Sequence, residues 1–213
     1  MFRAWLVFLC LTVLVICGCR IKVNGDIRIR EGKQASGSLM TINGNIRVGP
    51  GGRVTGSCRS VNGRIYVMEN AIVRSLQSVN GDIDLESNVD VQGDVESVNG
   101  GINARNGVMV NGDINTVNGS IRVNGTEVRR DVTSYNGDIQ LSERSVVHGD
   151  IIIRDSKGES NRTRPLRIRI DGMSVVEGNV IVKNEDLRVE LILAGESQVR
   201  GRIRDAEVIM DEE

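Results

Sequence analysis

The stretch Ser78–Leu85, SVNGDIDL, places the dipeptide Asn-Gly among alternating apolar residues, which is the usual sequence signature of a β-hairpin turn. Nearly the same sequence recurs as TINGNIRV, SVNGRIYV, SVNGGINA, TVNGSIRV and SYNGDIQL. Together with one earlier copy, the repeats place an asparagine every 18 or 19 residues, at Asn24, Asn43, Asn62, Asn80, Asn99, Asn118 and Asn136. A fixed period of this length is typical of a solenoid, in which each repeat forms one coil.

Apolar residues occupy the same places in every repeat. An isoleucine follows each asparagine by three residues, a second apolar residue follows by five, and a third apolar residue directly precedes the asparagine. A meander of hairpins would not require identical residues at each turn, whereas coils stacked in register bring like side chains into contact and let asparagine amides hydrogen-bond along the stack. The sequence therefore predicts an all-β fold, a single-stranded parallel β-helix with coils of 18–19 residues.

Turn-forming residues divide each coil into three short sides, or into two if one corner is shallow. We expect left-handed backbone at the Asn-Gly corner, because asparagine and glycine tolerate it. A second corner follows about seven residues later, as at Asn70 and Asn88, and a third lies near glycines such as Gly56 and Gly93. The two 18-residue coils, containing VRSLQSVNG and VRRDVTSYNG, lack the third glycine, so we expect both to be shortened at the third corner. Cys58 then falls in a core column as a small buried hydrophobe.

The first 18 residues have the features of an export signal, with Arg3 before an apolar run that is short for a membrane span. Ile16-Cys17-Gly18-Cys19 resembles the bacterial lipobox, and the resemblance implies that Cys19 is lipidated and becomes the mature N-terminus. An uncleaved anchor or an ordinary signal peptide is the alternative. Because Arg20 rather than aspartate follows Cys19, the sorting rule of Gram-negative lipoproteins favours the outer membrane.

The mature chain, residues 19–213, is expected to be one solenoid domain. Regular coils run over residues 21–153, and the polar segment DSKGESNRTRP then interrupts the period. Strand-like half-repeats resume after it, so we expect irregular coils over residues 154–213. The region from Leu187 lacks an Asn-Gly corner and is predicted to form a C-terminal cap.

Composition argues against several kinds of site. The formal net charge is −1, and Tyr66 and Tyr135 are the only aromatic residues after Phe8, so neither a nucleic-acid surface nor a stacking platform for sugars is expected. The single histidine, His148, excludes a three-histidine metal site, and we expect no cofactor, no metal and no enzymatic activity. The corner acids Asp94, Asp113 and Asp150 are interpreted as solvated.

One basic cluster is a candidate anion-binding patch, with an ordinary solvated strand face as the alternative. It consists of Arg162, Arg164, Arg167 and Arg169.

The repeated Ser/Thr-Val-Asn-Gly-x-Ile-x-Val motif, from Val23 to about Ile153, resembles bacterial adhesin-like β-helix proteins of the GIN-head-domain group. That resemblance implies a parallel, right-handed β-helix and provides no site residue to transfer. Bactofilins, which are small polymerising β-helices, share the coil size.

These observations lead us to expect a lipid-anchored, non-enzymatic β-solenoid of the bacterial envelope, acting as an interaction or structural module. Its partners would be the membrane, through the lipid, and an envelope protein or polysaccharide. The alternatives are a bactofilin-like scaffold that polymerises end to end and, less favoured, a polysaccharide-active enzyme.

Overall fold

A computed structural model of the protein describes residues 20–155, 164–184 and 187–211. Cys19, Arg162 and the whole expected signal peptide lie outside the described residues. The described chain is built from short strands, and none of its segments is a helix long and apolar enough to cross a membrane.

The strands of the described residues form three parallel sheets, one on each side of the solenoid. The first sheet contains β1 (Arg20–Asn24), β4 (Leu39–Asn43), β7 (Cys58–Asn62), β10 (Leu76–Ser78), β13 (Val95–Ser97), β16 (Ile114–Thr116), β19 (Val132–Ser134), β22 (Ile151–Ile153), β25 (Val180–Val182) and β28 (Ile203–Arg204).

The second sheet contains β2 (Ile27–Ile29), β5 (Ile46–Val48), β8 (Ile65–Val67), β11 (Ile83–Leu85), β14 (Ile102–Ala104), β17 (Ile121–Asn124), β20 (Ile139–Ser142), β23 (Leu166–Ile170), β26 (Val189–Ala194) and β29 (Glu207–Asp211). The third sheet contains β3 (Gln34–Ala35), β6 (Arg53–Val54), β9 (Ile72–Val73), β12 (Asp90–Val91), β15 (Met109–Val110), β18 (Glu127–Val128), β21 (Val146–Val147), β24 (Val175–Val176) and β27 (Gln198–Val199).

Successive coils pair in register, so the prediction of an all-β parallel β-helix is confirmed. Cys58 pairs with Leu76, and Leu76 pairs in turn with Val95. The side chains of such columns fill the interior, and all three of these residues are fully buried. Burial raises the pKa of the Cys58 thiol to about 12, because the interior penalises the charged thiolate. Cys58 is therefore an inert part of the core.

The Asn-Gly corner requires glycine because of close packing, not because of its backbone conformation. Among the corner glycines, Gly25 alone has a positive φ, and none of the corner asparagines does. A Cβ atom on Gly44, Gly63, Gly81 or Gly100 would instead collide with the glycine carbonyl group of the preceding coil. The expectation of left-handed backbone at this corner was therefore wrong beyond the first coil.

The left-handed residues lie mainly at the second corner. Gly51, Asn70, Asn88, Gly107 and Gly125 all have φ between 52° and 77° there. The chain turns here from the second sheet to the third, and the residues at the turn tolerate a positive φ.

The two 18-residue coils are shortened in different places. Val54 pairs with Val73, whereas Cys58 pairs with Leu76, so the first of them loses a residue at the third corner as expected. In the second, Met109 already pairs with Glu127, which places the loss at the Asn124-Gly125 corner. Arg130 occupies the position of the third glycine there, and the prediction for this coil was wrong.

The predicted C-terminal cap is instead a continuation of the stack. Residues 187–211 add strands to all three sheets, ending with β29 against β26. Val208 and Met210 extend the core columns of Leu191 and Leu193 but are 45% and 71% exposed, because no further described coil covers them. The last described coil turns its first corner without Asn-Gly, and Asp205, between β28 and β29, has a φ of 60° there.

Candidate functional site

In every repeat after the first, a buried serine or threonine precedes the Val-Asn-Gly sequence or its variant and stabilises the first corner. The Ser97 hydroxyl accepts a hydrogen bond from the Gly100 amide at 3.1 Å and donates to the Gly81 carbonyl of the preceding coil at 3.4 Å. Thr116 makes the equivalent bonds to Gly119 and Gly100. The hydroxyl thus satisfies polar backbone groups at the point where adjacent coils approach most closely.

The corner asparagines form a continuous ladder on the outside of this corner. The amide nitrogen of Asn99 donates to the carbonyl oxygen of Asn80 at 2.8 Å, and Asn118 donates to Asn99 at the same distance. The remaining bonds of the ladder join Asn43 to Asn24, Asn62 to Asn43, Asn80 to Asn62 and Asn136 to Asn118 at 2.8–3.0 Å. Each interior asparagine therefore stabilises two coil junctions, and the ladder is a structural feature.

A groove of about 500 Å³ runs along the outer face of the first sheet, beside the ladder. Its floor is formed by the residue that precedes each corner asparagine, principally Val61, Val79, Val98 and Val117. Val79 and Val98 are each 39% exposed. These two exposed valines and the half-buried Val61 and Val117 form a contiguous apolar strip, which makes this face a candidate binding surface.

The groove has polar residues along its wall and an aromatic residue at one end. Gln77, Glu96 and Asn115 line the wall, and the Gln77 amide donates to the Glu96 carboxylate at 2.8 Å. Tyr135 takes the place of valine in the seventh coil and limits the apolar strip there. The groove can therefore bury apolar groups on its floor while offering hydrogen-bond donors and acceptors from its wall.

The repeat pattern alone did not separate this exposed column from the two buried ones. The distinguishing signal is the alternation within one strand. In LQSVN, Leu76 and Ser78 face the interior, so Gln77 and Val79 must face outward. The feature that indicates the groove is an apolar residue at this outward position in successive coils.

The corner acids Asp94, Asp113 and Asp150 lie on one face of the solenoid, together with Asp131. Each accepts a backbone hydrogen bond from the next coil, as Asp113 does from the Asp131 amide at 3.0 Å and Asp131 from the Asp150 amide at 2.8 Å. These carboxylates satisfy corner amides that no strand pairs. Within residues 20–155, 164–184 and 187–211, no group of three or more His, Cys, Asp or Glu side chains could hold a metal ion.

His148 is exposed at the third corner, as expected, and bridges two carboxylates. Its Nδ1 lies 2.7 Å from Glu177, and its Nε2 lies 3.1 Å from Glu127. The hydrogen bond to Glu177 is the main reason that the pKa of His148 is raised above its ordinary value of 6.5. Desolvation of the imidazolium lowers this pKa, and the hydrogen bond to Glu127 raises it further. The imidazolium in turn lowers the pKa of Glu177.

The candidate anion patch is offset by acids. Arg164 pairs with Asp138 at 2.7 Å, Arg167 pairs with Glu190 at 3.2 Å, and Arg169 pairs with both Asp171 and Asp211. These three arginines therefore belong to a mixed-charge surface, in agreement with the alternative of a solvated strand face. The fourth member, Arg162, and the lipidation residue Cys19 lie outside the described residues.

The fold and the ladder define the protein as a three-sided parallel β-solenoid. Comparison with family models, with curated proteins and with solved structures gave no match to this chain.

We predict that Glu177→Gln lowers the pKa of His148 more than Glu127→Gln does. A raised folded-state pKa means that protonated His148 stabilises the fold fully below pH 6.5 and loses this effect as pH rises through the folded pKa. Loss of stability on Glu177→Gln should consequently be larger near pH 6 than at pH 9. The measurement is an NMR titration of the only histidine, combined with urea unfolding at both pH values; equal pKa values in the two variants would contradict the assignment.

Proposed function

We propose that this protein is a lipid-anchored, non-enzymatic interaction module of the bacterial envelope, and that the groove on the first sheet binds an extended segment of a partner protein. The single observation that supports this function is the apolar floor of the groove, which Val61, Val79, Val98 and Val117 form on consecutive coils. The lipobox-like sequence at Cys19 supports the location.

The lining of the groove favours a polypeptide over a sugar. Binding sites for sugars usually offer aromatic faces for stacking, whereas the floor here is made of valines with a single tyrosine at one end. Aliphatic floors accept aliphatic side chains, and amides such as those of Gln77 and Asn115 can bond to an extended backbone. A polysaccharide is therefore the less favoured ligand.

The acidic columns support a non-enzymatic role. Asp94, Asp113, Asp131 and Asp150 each use one carboxylate oxygen to accept a backbone amide of the following coil. A carboxylate held in this way stabilises the corner, and its alignment with the others follows from the register of the coils. The columns thus have a structural explanation that requires no substrate.

An end-to-end scaffold is the second candidate, and the exposure of core-column residues in β29 favours it. The last described strand, β29, exposes Val208 and Met210 in core columns, and a strand edge that no described coil covers invites pairing with another chain. The N-terminal end opposes it, because Arg20 and Lys22 occupy the register positions of Leu39 and Thr41 in β1. A head-to-tail joint would have to bury these two cations.

We predict that a photo-crosslinker placed at Val98 in living cells forms an adduct with one segment of one envelope protein. A crosslinker at Asn103, in the same coil on the second sheet, is the matched control and should not give this adduct. The substitution Val79→Asp should reduce the Val98 adduct on the order of tenfold, because an unpaired carboxylate on the floor would have to be desolvated.

Mass spectrometry of the crosslinked peptide gives the readout. Equal labelling from Val98 and Asn103, or an adduct unaffected by Val79→Asp, would contradict a binding role for the groove. A glycan adduct at Val98 would assign the groove to a polysaccharide instead.

We predict that Cys19→Ser abolishes acylation of the protein, whereas the matched change Cys17→Ser does not. The reason is that Gly18 provides the small residue required before Cys19, while Ile16 precedes Cys17. Labelling of both variants in cells with a palmitate analogue measures acylation. Retention of label in Cys19→Ser would contradict the anchor.

A further inference from the structure

Charge is distributed unevenly along the rod, although the chain as a whole is nearly neutral. Residues 20–68, which we call the basic segment, contain nine arginines and lysines against two acids. Residues 69–155, the acidic segment, contain seven arginines against fourteen acids. Because the coils follow one another along a single axis, this difference in sequence becomes a difference between one end of the rod and its middle.

The basic segment forms the N-terminal end of all three sheets. Strands β1, β2 and β3 are the terminal strands of their sheets, and Arg20, Lys22, Arg28, Arg30 and Lys33 lie on this first coil or its corners. All five side chains are exposed. Their positions on different sides of the coil place positive charge around the end of the rod.

Most of this charge is available to an external partner. Arg28 pairs with Asp26 at 3.3 Å, but within the part of the chain that the structure describes Arg30, Lys33 and Arg53 pair with no carboxylate. The first strand also presents two apolar side chains outward, Ile21 at 44% and Val23 at 58% exposure. Cationic side chains next to exposed aliphatic ones are the combination found on surfaces that rest on a lipid headgroup layer.

We propose that the basic segment is a docking surface for anionic phospholipid headgroups, which holds the rod on the membrane at its N-terminal end. Coils are about 4.8 Å apart, so the first two coils lie within about one Debye length of a surface that touches β1 at 0.1 M salt. The position of Arg20 directly after Cys19 points this end toward the bilayer, and this orientation rests on the proposed anchor. The charge argument itself does not require an acyl chain on Cys19.

A second copy of the chain is a less suitable occupant. Two basic segments repel each other, and stacking on the C-terminal end would bury Arg20 and Lys22 at core positions. Side-by-side contact between the basic segment of one copy and the acidic segment of another is the remaining form of self-association, and the experiment below detects it.

The test uses the mature chain carrying Cys19→Ser, so that binding cannot come from the lipid. Vesicles of phosphatidylcholine, with or without phosphatidylglycerol, are mixed with the protein and the bound fraction is measured by flotation. We expect binding to the phosphatidylglycerol vesicles alone, and we expect it to weaken as salt is raised.

The triple variant Arg30→Glu, Lys33→Glu, Arg53→Glu should bind these vesicles at least about tenfold more weakly. The matched control is Arg74→Glu, Arg122→Glu, Arg154→Glu, which makes the same change in net charge with exposed arginines of the acidic segment and should retain more binding than the first variant. Circular dichroism and thermal unfolding of each variant verify that the fold is intact.

Three results would overturn the proposal. The first is that the folded Cys19→Ser chain does not bind phosphatidylglycerol vesicles at low salt, and the second is that the two triple variants bind equally. The third is a mass in light scattering that depends on protein concentration in all but the first triple variant, which would assign the surface to a second copy of the chain. The proposed anchor fails separately, if Cys19 is not acylated in cells while the vesicle result holds.

Discussion

The close approach of successive coils at the Asn-Gly corner is the constraint on which the rest of the structure depends. The glycine of one coil lies so near the glycine carbonyl of the preceding coil that a Cβ atom has no room. This contact fixes the register, because a slip of one residue would place an asparagine side chain in the same space and turn every core side chain outward. The buried serine or threonine and the exposed asparagine then satisfy the polar groups on the two sides of the contact.

A fixed register has consequences for the surface as well as for the core. Any residue type repeated at one place in the coil becomes a continuous line on the rod, as the valine floor of the groove and the column of corner aspartates show. A gradual change in composition along the chain becomes a polarity of the rod, as in the basic and acidic segments. The two proposals therefore concern different parts of the rod, because the groove lies on a side and the proposed membrane contact lies at an end.

Much of the fold could be predicted because every coil repeats the same pattern of residues. The period predicted the coil length, the isoleucine columns predicted the interior, and three sets of turn residues predicted three sides. What the repeat could not give is the physical reason for each residue: glycine at the first corner is required by space, while positive φ occurs at the second corner. The exposure of the valine column depended on strand alternation, which a comparison between coils does not reveal. The structure of the residues after Ile153 was harder to predict from the sequence, because coils of 29 and 23 residues continue the same sheets with different corners.

The most direct test of this account is the stability of Gly100→Ala compared with Gly101→Ala. The two glycines are adjacent in sequence, but a Cβ atom on Gly100 would collide with the backbone of Gly81. A Cβ atom on Gly101 would have one close backbone neighbour, the Ser120 carbonyl oxygen at 3.2 Å. Other coils carry Asp82 or Ser120 at the position of Gly101, so a side chain is accepted there. Urea unfolding should show a loss of about 3 kcal/mol for Gly100→Ala and less than about 1 kcal/mol for Gly101→Ala. Equal stability of the two variants would contradict the claim that close packing at this corner sets the register of the solenoid.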